Sequence, residues 1–338
     1  MNTPAPIDVV EIVCPLCEAK EYRSVCSVAD ATYGMPGEYL VVRCSGCDHL
    51  YLNPRPSDEA LMACYPQTYA PHLLPEQTCD PSEADSTPRK KTMIRRRLAA
   101  IPGVRKFLFW LGQEDATYLP PPALAGISRM LEVGCAQGRF LKRAAALGWI
   151  ADGVEPSLAA VKRARQSGLE VFCGKLSDAA LPSGSRELVV MWMVLEHVPN
   201  PRELLAECFR ILQPGGQLAL SVPNAGGWER KLFGRHWLGY DAPRHLQMFT
   251  SQRLKQLLQE EGFIETRILH QSNTRYWWGS FAAWGRARFP QHRWPARWME
   301  YFRLEPPSAW RWILLVPGKG MSLLGLAGRI TVICRKAE

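Results

Sequence analysis

Hydrophobic and polar positions alternate in a regular way between Met130 and Ile268. Five short apolar runs have the length of buried strands: Met130–Val133, Trp149–Val154, Leu169–Phe172, Leu188–Trp192 and Gln217–Val222. Amphipathic stretches with capping residues separate them or follow the last one, and these predict helices: the stripe that ends at Gly148, Ser157 to Gly168, Asn200 to Pro214, and Ser251 to Glu261. This order of strands and helices predicts a doubly wound, mostly parallel α/β sheet.

The first 70 residues carry a different pattern, with two C-x-x-C pairs separated by 26 residues. Two such pairs supply the four thiolates that a tetrahedral Zn²⁺ prefers, so we predict a structural zinc ribbon at residues 1–70. The predicted ligands are Cys14, Cys17, Cys44 and Cys47. A redox C-x-x-C is the alternative, but it would not be expected as a matched pair. We expect His49 at the surface, since four cysteines already complete the metal shell.

Composition and charge indicate how the chain is divided into domains and in which compartment it works. Residues 71–122 read as a Pro- and Ser-rich linker followed by a basic amphipathic helix, and 123–338 as the main domain with a helical Trp/Arg-rich insertion at about 275–325. Eleven cysteines without a secretion signal favour a cytoplasmic protein. The net charge of +9 comes largely from two basic stretches, which we interpret as solvated helix faces rather than a nucleic-acid site.

A glycine-rich turn after the first strand is the leading candidate for a binding site. Its alternating spacing is Glu132-x-Gly134-x-Ala136-x-Gly138, and a helix begins directly after it. Glu155 ends the next strand, 23 residues past Glu132, where a carboxylate can accept hydrogen bonds from ribose hydroxyls. The turn alone also suits a dinucleotide-binding fold.

Five motifs in order make the pattern more specific: Leu131–Cys135, Gly153–Pro156, Val194–Pro201, Leu212–Gly216 and Ser221–Asn224. Together they resemble class I S-adenosylmethionine (SAM) dependent methyltransferases of the type 11/12/23 group, some of which carry a zinc-binding segment in front. The resemblance extends from Met130 to Ile268 and, less fully, over the ribbon. It implies a Rossmann-like sheet of seven strands and SAM as the cofactor.

The resemblance also implies which residues bind SAM. Glu132, Gly134, Cys135, Ala136 and Gly138 would line its methionine side, although Glu132 can alternatively brace the loop. Alanine stands at 136 where the family has glycine. The remaining contacts would come from later strand ends, with Glu155 and Pro156 at the ribose, Leu176 and Ser177 near the adenine, and Trp192 and Met193 close to the sulfonium.

Methyl transfer to a hydroxyl or amine needs a base, and His245 and His197 are the candidates, with Glu196 and Asp241 as carboxylates that can orient them. Some relatives bind a divalent metal through E-x-x-E-H and a later histidine; Met193 replaces the first glutamate here. We favour a metal-free His245 base. Helix-start packing and capping is the alternative for Glu196 and His197.

The acceptor is the least determined part. Aromatic residues from Pro223 to Thr250 suit either an apolar or sugar-like acceptor or a small core of their own. Seven tryptophans among arginines after Leu269 suit a helical cap, a membrane interface or single-stranded RNA. We therefore expect methyl transfer to a small-molecule, glycan or lipid-linked acceptor, at oxygen, with peripheral contact at the inner membrane face. An RNA methyltransferase and a non-catalytic SAM-fold subunit are the alternatives.

Overall fold

The structure is a computed structural model that describes residues 7–65, 69, 128–271, 274–304 and 308–338. The predicted linker and basic helix between residues 71 and 122 lie outside this part of the chain. In the described part, no helix combines the length and the apolar character needed to cross a bilayer.

The N-terminal module is a small antiparallel sheet closed by its two cysteine turns. Its strands and short helix are β1 Val9–Val10, β2 Tyr22–Ala29, β3 Glu38–Cys44, β4 Leu50–Leu52, β5 Arg55–Pro56 and α1 Asp58–Leu61. Strands β2, β3 and β4 pair in sequence order, and β1 pairs with β5. Ser57 caps α1 by accepting from the Ala60 N–H.

The main body is a seven-stranded sheet in the order β12-β13-β10-β9-β6-β7-β8. Its strands are β6 Arg129–Val133, β7 Ile150–Glu155, β8 Val171–Cys173, β9 Arg186–Trp192, β10 Leu212–Pro223, β12 Phe263–Gln271 and β13 Arg329–Lys336. Strand β13 runs antiparallel to both of its neighbours, β10 and β12, and the other neighbouring pairs of this sheet are parallel. Residues Leu188–Met191 of the central strand β9 are all buried, as expected for a parallel strand covered on both faces.

Helices cover the sheet and form a cap at its later end. They are α2 Arg139–Ala146, α3 Leu158–Gln166, α4 Pro201–Ile211, α5 Trp228–Phe233, α6 Ser251–Glu260, α7 Thr274–Arg288, α8 Trp294–Leu304 and α9 Ser308–Leu323. In the cap, Trp278 and Trp298 stack with ring centroids 4.7 Å apart. The Trp277 indole N–H donates to the buried Glu229 carboxylate at 2.9 Å. These tryptophans therefore pack within the protein, as the helical-cap alternative expects.

Strand order places the ligand crevice of the sheet. From β6 the chain moves outward to β7 and β8, then returns to β9 on the other side of β6. Ligands of open α/β sheets bind at such a reversal, beyond the carboxyl ends of the strands. Here that point lies between Gly134 after β6 and Met193 after β9, whose loops meet closely: a Cβ on Gly134 would lie 2.5 Å from Val194 Cγ2.

The two modules share one hydrophobic core. Leu16, Val42 and Tyr51 of the N-terminal module belong to the same buried cluster as Leu131 and Val189 of the large sheet. The two-residue strand β11, Gln247–Met248, comes from the loop after β10 and pairs antiparallel with β4. The loop of the main body thus completes the sheet of the N-terminal module.

Two predictions are wrong. His49 is 1% exposed rather than on the surface, because its ring packs between Tyr51 and Phe249 and shares a 2.8 Å hydrogen bond with Gln247. The helix predicted to reach Pro214 ends at Ile211, and β10 begins at Leu212. A register irregularity between Leu212 and Gln217 absorbs the proline and the positive-φ Gly215, whereas an even ladder would lose a hydrogen bond at Pro214.

Candidate active site

The glycine turn after β6 has the conformation that its spacing predicts. Gly134 and Gly138 have φ of +69° and +77°, and a Cβ on Gly138 would lie 2.1 Å from Leu169 Cδ1. Ala136 also has a positive φ, +47°, although it is not glycine. An L-residue in this region costs about 1–2 kcal/mol, so the surrounding contacts must hold it there. The Cys135 side chain packs in the core, which leaves its backbone at the turn.

Glu155 holds the turn in place. Its carboxylate is 5% exposed and accepts 2.9 Å hydrogen bonds from the backbone N–H groups of Ala136 and Ser157, one on each oxygen. Burial raises the pKa of Glu155, and these two hydrogen bonds oppose the shift. A carboxylate oxygen has two acceptor positions, so the arrangement is compatible with ribose hydroxyls binding beside Pro156, the exposed next residue.

Glu132 is a second buried carboxylate beneath the turn. Its Oε2 has no hydrogen-bond partner among the described residues, and burial together with Glu155 raises its pKa well above the usual value. A hydrogen bond from the Leu141 backbone opposes the shift and ties the carboxylate to α2. An orphan acceptor oxygen under a glycine cradle fits the ammonium end of a SAM molecule.

The other predicted SAM contacts lie at strand ends on the same edge. Leu176 is 3% exposed and belongs to the main core, whereas Ser177 beside it is exposed. Trp192 packs edge-to-face on Phe140 with centroids 5.4 Å apart, and its indole N–H has no partner among the described residues. Met193 has φ +57° and donates its N–H to Ser221 O at 2.9 Å, which fixes the end of β9.

Glu196, His197 and His245 come together at this edge. A ring nitrogen of each histidine and a Glu196 carboxylate oxygen all lie within 4.8 Å of one another, and His245 Nε2 is 4.0 Å from Glu196 Oε1. Glu196 is 0% exposed, and neither of its oxygens has a hydrogen-bond partner in the described part of the chain. Burying a carboxyl group without a hydrogen-bond partner costs folding free energy. A ligand that binds this cluster would supply the missing partner.

The hydrogen bonds of the His245 and His197 rings bear on which ring nitrogen carries the proton. His245 Nδ1 is 2.8 Å from Gly239 O, and His197 Nδ1 is 3.1 Å from Arg244 O. A carbonyl oxygen only accepts, so His245 Nδ1 carries the proton and its Nε2 keeps the lone pair, whereas His197 Nδ1 is shared between Arg244 O and the Tyr65 hydroxyl. Burial lowers the pKa of His197 to about 3 and holds that of His245 below its usual value. Both rings are therefore neutral near pH 7.

Burial raises the pKa of Glu196 to about 8, and the charge of Arg329 opposes that shift. Arg329 lies at the start of β13, is 8% exposed and donates to Ser221 Oγ at 3.1 Å. No spacing in the sequence indicated that this arginine would face the cluster, because it enters from a strand more than 80 residues away that runs in the opposite direction.

Tyr65 brings the N-terminal module into the site. Its hydroxyl is 3.0 Å from His197 Nδ1, and its ring packs edge-to-face on Tyr69 with centroids 5.1 Å apart. Sequence analysis did not single out Tyr65, because it follows the second cysteine pair by 18 residues without any motif. Residues of both modules therefore contact the histidine cluster.

Asp241 does not orient His245 as expected. Its carboxylate accepts from Arg244 at 2.8 and 2.9 Å and from Thr32 Oγ1 at 2.8 Å. Burial would raise its pKa, but Arg244 overrides this and holds the pKa well below the usual range. Arg244 is 0% exposed and also donates to Asp30 at 2.7 and 3.0 Å, so it joins the loop before His245 to the N-terminal module.

The loop aromatics split between two roles. Trp237 and Tyr240 are buried with Val41 and Leu52 of the N-terminal module in a second hydrophobic cluster. Trp228 packs on Trp277 with centroids 3.9 Å apart. These three rings therefore pack in the protein interior, as the core alternative expects, but they share that packing with the N-terminal module and the cap.

The four cysteines are placed as a metal site requires. Cys14 and Cys47 sulfurs are 3.6 Å apart, Cys17 and Cys44 sulfurs 3.4 Å, and all four lie within 4.8 Å of one another. A tetrahedral zinc with Zn–S bonds of about 2.3 Å spaces its sulfurs by about 3.8 Å. The two turns match in their backbone: Glu18 N–H donates to Cys14 O and Asp48 N–H to Cys44 O, with φ of +60° and +58°. This donor set fits structural zinc.

The class I methyltransferases share this architecture. Their sheet has one antiparallel strand next to its edge, and a glycine turn lies where the strand order changes direction. A family profile described as a methyltransferase domain matches residues 93–265, just over half of the chain. The chain therefore belongs to this methyltransferase family.

Individual relatives match shorter parts. One, named a probable S-adenosylmethionine-dependent methyltransferase of Mycolicibacterium smegmatis, is 29% identical over 168 residues, 48% of this chain and 62% of that protein. The ubiquinone biosynthesis O-methyltransferase of Xanthomonas oryzae is 38% identical over 108 residues, 30% of this chain and 45% of that protein. The chain spans less than two thirds of both relatives. A solved SAM-dependent methyltransferase from Thermotoga maritima superposes with TM-score 0.42 at 19% identity, over 63% of this chain and 84% of that one.

Proposed function

We propose that the enzyme transfers a methyl group from SAM to an oxygen atom of a small-molecule, sugar or lipid-linked acceptor. One observation carries the proposal: the buried cluster of Glu196, His197 and His245 lies at the edge of the sheet that holds the glycine turn, with an open Nε2 lone pair on the neutral His245 ring. A neutral imidazole is the group that can take a hydroxyl proton near pH 7.

His245 acts as the base in this proposal. Bound SAM supplies an electrophilic methyl group on its sulfonium. His245 Nε2 accepts the acceptor's hydroxyl proton while the new O–CH₃ bond forms, and the S–CH₃ bond breaks to leave S-adenosylhomocysteine. The Gly239 carbonyl accepts from Nδ1–H and so stabilises the protonated ring. Trp192 and Met193, at the end of β9, border the place where the reacting groups meet.

A divalent cation is the second candidate for the same cluster. Metal-binding histidines usually donate their other ring N–H to a carbonyl or carboxylate, as His245 does to Gly239 O. Glu196, whose oxygens have no hydrogen-bond partner among the described residues, would lose its proton on binding the cation and supply an anionic oxygen. In that case the cation would bind the acceptor's oxygen and lower its pKa, and His245 would be a ligand rather than the base.

The N-terminal module has a supporting role in the proposal. Zinc held by Cys14, Cys17, Cys44 and Cys47 fixes the module, and the module in turn positions Tyr65 against His197. Oxygen as the methylated atom is supported by the similarity to the ubiquinone biosynthesis O-methyltransferase.

The test is transfer of a labelled methyl group from SAM into separated lipid, glycan, small-molecule and RNA fractions of a cell extract. We expect label in one of the first three fractions. His245→Gln should lower transfer by about 10²–10⁴-fold, because that is the usual contribution of a positioned base. Affinity for S-adenosylhomocysteine, measured by calorimetry, should stay unchanged in this variant and fall in Glu155→Ala.

The two candidate roles separate in matched variants. With a metal-free base, Glu196→Gln and His197→Gln should cost much less activity than His245→Gln. With a bound cation, all three variants should be similarly impaired and added metal should rescue them in part. Label in RNA alone would replace the acceptor class, and absence of S-adenosylhomocysteine binding by the unaltered protein would refute the proposal.

A further inference from the structure

The end of α9 exposes a group of large apolar side chains to solvent. Val316, Leu323, Leu324 and Leu326 are 60, 73, 69 and 37% exposed, and Pro317 beside them is exposed as well. We call these five residues the apolar tip. Spacings of seven and eight residues from Val316 place Leu323 and Leu324 on one face of the helix. Surface helices normally turn polar residues to solvent, so this face indicates a partner.

The apolar tip is held rigidly. Leu326 N–H donates to Met321 O at 2.8 Å and Gly325 N–H to Ser322 O at 3.2 Å, with Gly325 at φ +72°. These two hydrogen bonds and the left-handed glycine form a Schellman motif, which ends the helix in one defined conformation. Leu323 and Leu324 are therefore presented by an ordered helix end, and their exposure does not come from fraying.

The apolar tip lies at the edge of the sheet that carries the active site. Leu326 O accepts from Trp228 N–H at 3.0 Å, and the Asn224 side chain donates to Ala327 O at 2.8 Å. Both donors follow directly after β10, whose carboxyl end borders the histidine cluster. Three residues past the tip, Arg329 begins β13 and contacts Ser221. A surface bound at the tip would therefore lie near the edge of the sheet that carries the histidine cluster.

Charge around the apolar tip favours an anionic surface. The helical region from 274 to 328 holds eight Lys and Arg against two Asp and Glu, a net of +6. From Pro306 to Gly328 the chain contains no acidic residue, while Arg311 and Lys319 lie within it. Basic residues beside inserted leucines are the combination by which interfacial helices bind membranes with acidic headgroups.

We propose that the apolar tip docks on an anionic lipid bilayer and holds this edge of the sheet at the membrane surface. Leu323 and Leu324 enter the headgroup boundary, and the net positive charge of the same region attracts acidic lipids. The docking does not depend on the identity of the acceptor. That the acceptor is drawn from the lipid phase follows only if the proposed methyl transfer is also correct.

The experiment is co-sedimentation of the full chain with vesicles of phosphatidylcholine alone or mixed with phosphatidylglycerol. We expect binding to mixed vesicles at low salt. The double variant Leu323→Gln/Leu324→Gln should bind at least about tenfold more weakly, since each leucine loses apolar area that the bilayer would cover. Leu147→Gln/Ile150→Gln is the matched control, because these side chains are 51 and 41% exposed at the opposite edge of the sheet.

Three results would overturn the proposal: no vesicle binding by the unaltered protein, equal binding to vesicles without phosphatidylglycerol, or equal loss in the control variant. A dimer seen by sedimentation equilibrium without lipid, and split by Leu323→Gln/Leu324→Gln, would assign the tip to a second copy instead. S-adenosylhomocysteine titration of the same proteins separates the two proposals, because its failure would concern the methyltransferase site and leave the docking result standing.

Discussion

Ala136 and Tyr65 show how single residues relate to the site. Ala136 occupies a glycine position of the family pattern, and it adopts the left-handed conformation that the glycine would have had. Its N–H donates to Glu155, and this contact helps to hold the residue there. The spacing of the turn thus predicted the backbone correctly even where the residue type departs from it. Tyr65, by contrast, carries no local pattern, and only folding brings its hydroxyl to His197.

Tyr65→Phe should lower kcat by about tenfold, the effect of losing one hydrogen bond of about 1.4 kcal/mol. The ring and its packing on Tyr69 remain, so S-adenosylhomocysteine affinity and the melting temperature should hardly change. Loss of the hydroxyl should also shift the pH profile of kcat, because Tyr65 contacts a ring of the base cluster. Tyr39→Phe is the control, since that hydroxyl donates to Pro36 O and not to a member of the histidine cluster. Equal kinetics in both variants would contradict a positioning role for Tyr65.

At the scale of elements, the sequence predicts strands and helices better than it predicts which strands pair. The strands β6, β7 and β9 and the capped helices α3 and α6 were visible because apolar period and capping residues are local properties. The pairing of β11 with β4 was not, because a two-residue strand has no period and its partner is nearly 200 residues away. The C-x-x-C pairs were visible because metal ligation imposes its own spacing.

Metal analysis should find one zinc per chain. Cys44→Ser should lose the metal, lower the melting temperature and reduce methyl transfer, because the cysteine turns anchor β3 and the module that carries Tyr65. Cys26→Ser, in the same module but outside the four-thiol cluster, should retain both metal and activity. A metal-free preparation with unchanged melting temperature and activity would argue against structural zinc.

At the scale of the molecule, the N-terminal module and the main body are joined by a common core and by one buried cation. Arg244 bonds Asp241 in the loop after β10 and Asp30 at the end of β2, and all three charges are shielded from solvent. The same loop carries His245. The position of His245 therefore depends on the module that the zinc is expected to stabilise.

Arg244→Leu should lower the free energy of unfolding by about 3–5 kcal/mol, because it leaves the Asp30 and Asp241 carboxylates without their cationic partner. Arg210→Leu, which breaks a partly exposed pair with Glu207, should cost about 1 kcal/mol or less.

Urea unfolding followed by far-ultraviolet circular dichroism and by tryptophan fluorescence should give coincident single transitions for the unaltered protein. Two separate transitions would contradict the joint core.

The sequence by itself determined the strand and helix pattern, the glycine turn with Glu155, the four-thiol cluster and the family to which the chain belongs. Each of these depends on spacing within a short stretch, where local backbone geometry and ligand chemistry impose the pattern. Only the tertiary structure decided that His49 is buried, that Asp241 binds Arg244 rather than His245, and that Tyr65 and Arg329 face the histidine cluster. These contacts join residues distant in the chain, and burial and charge complementarity select them only once the two modules pack together.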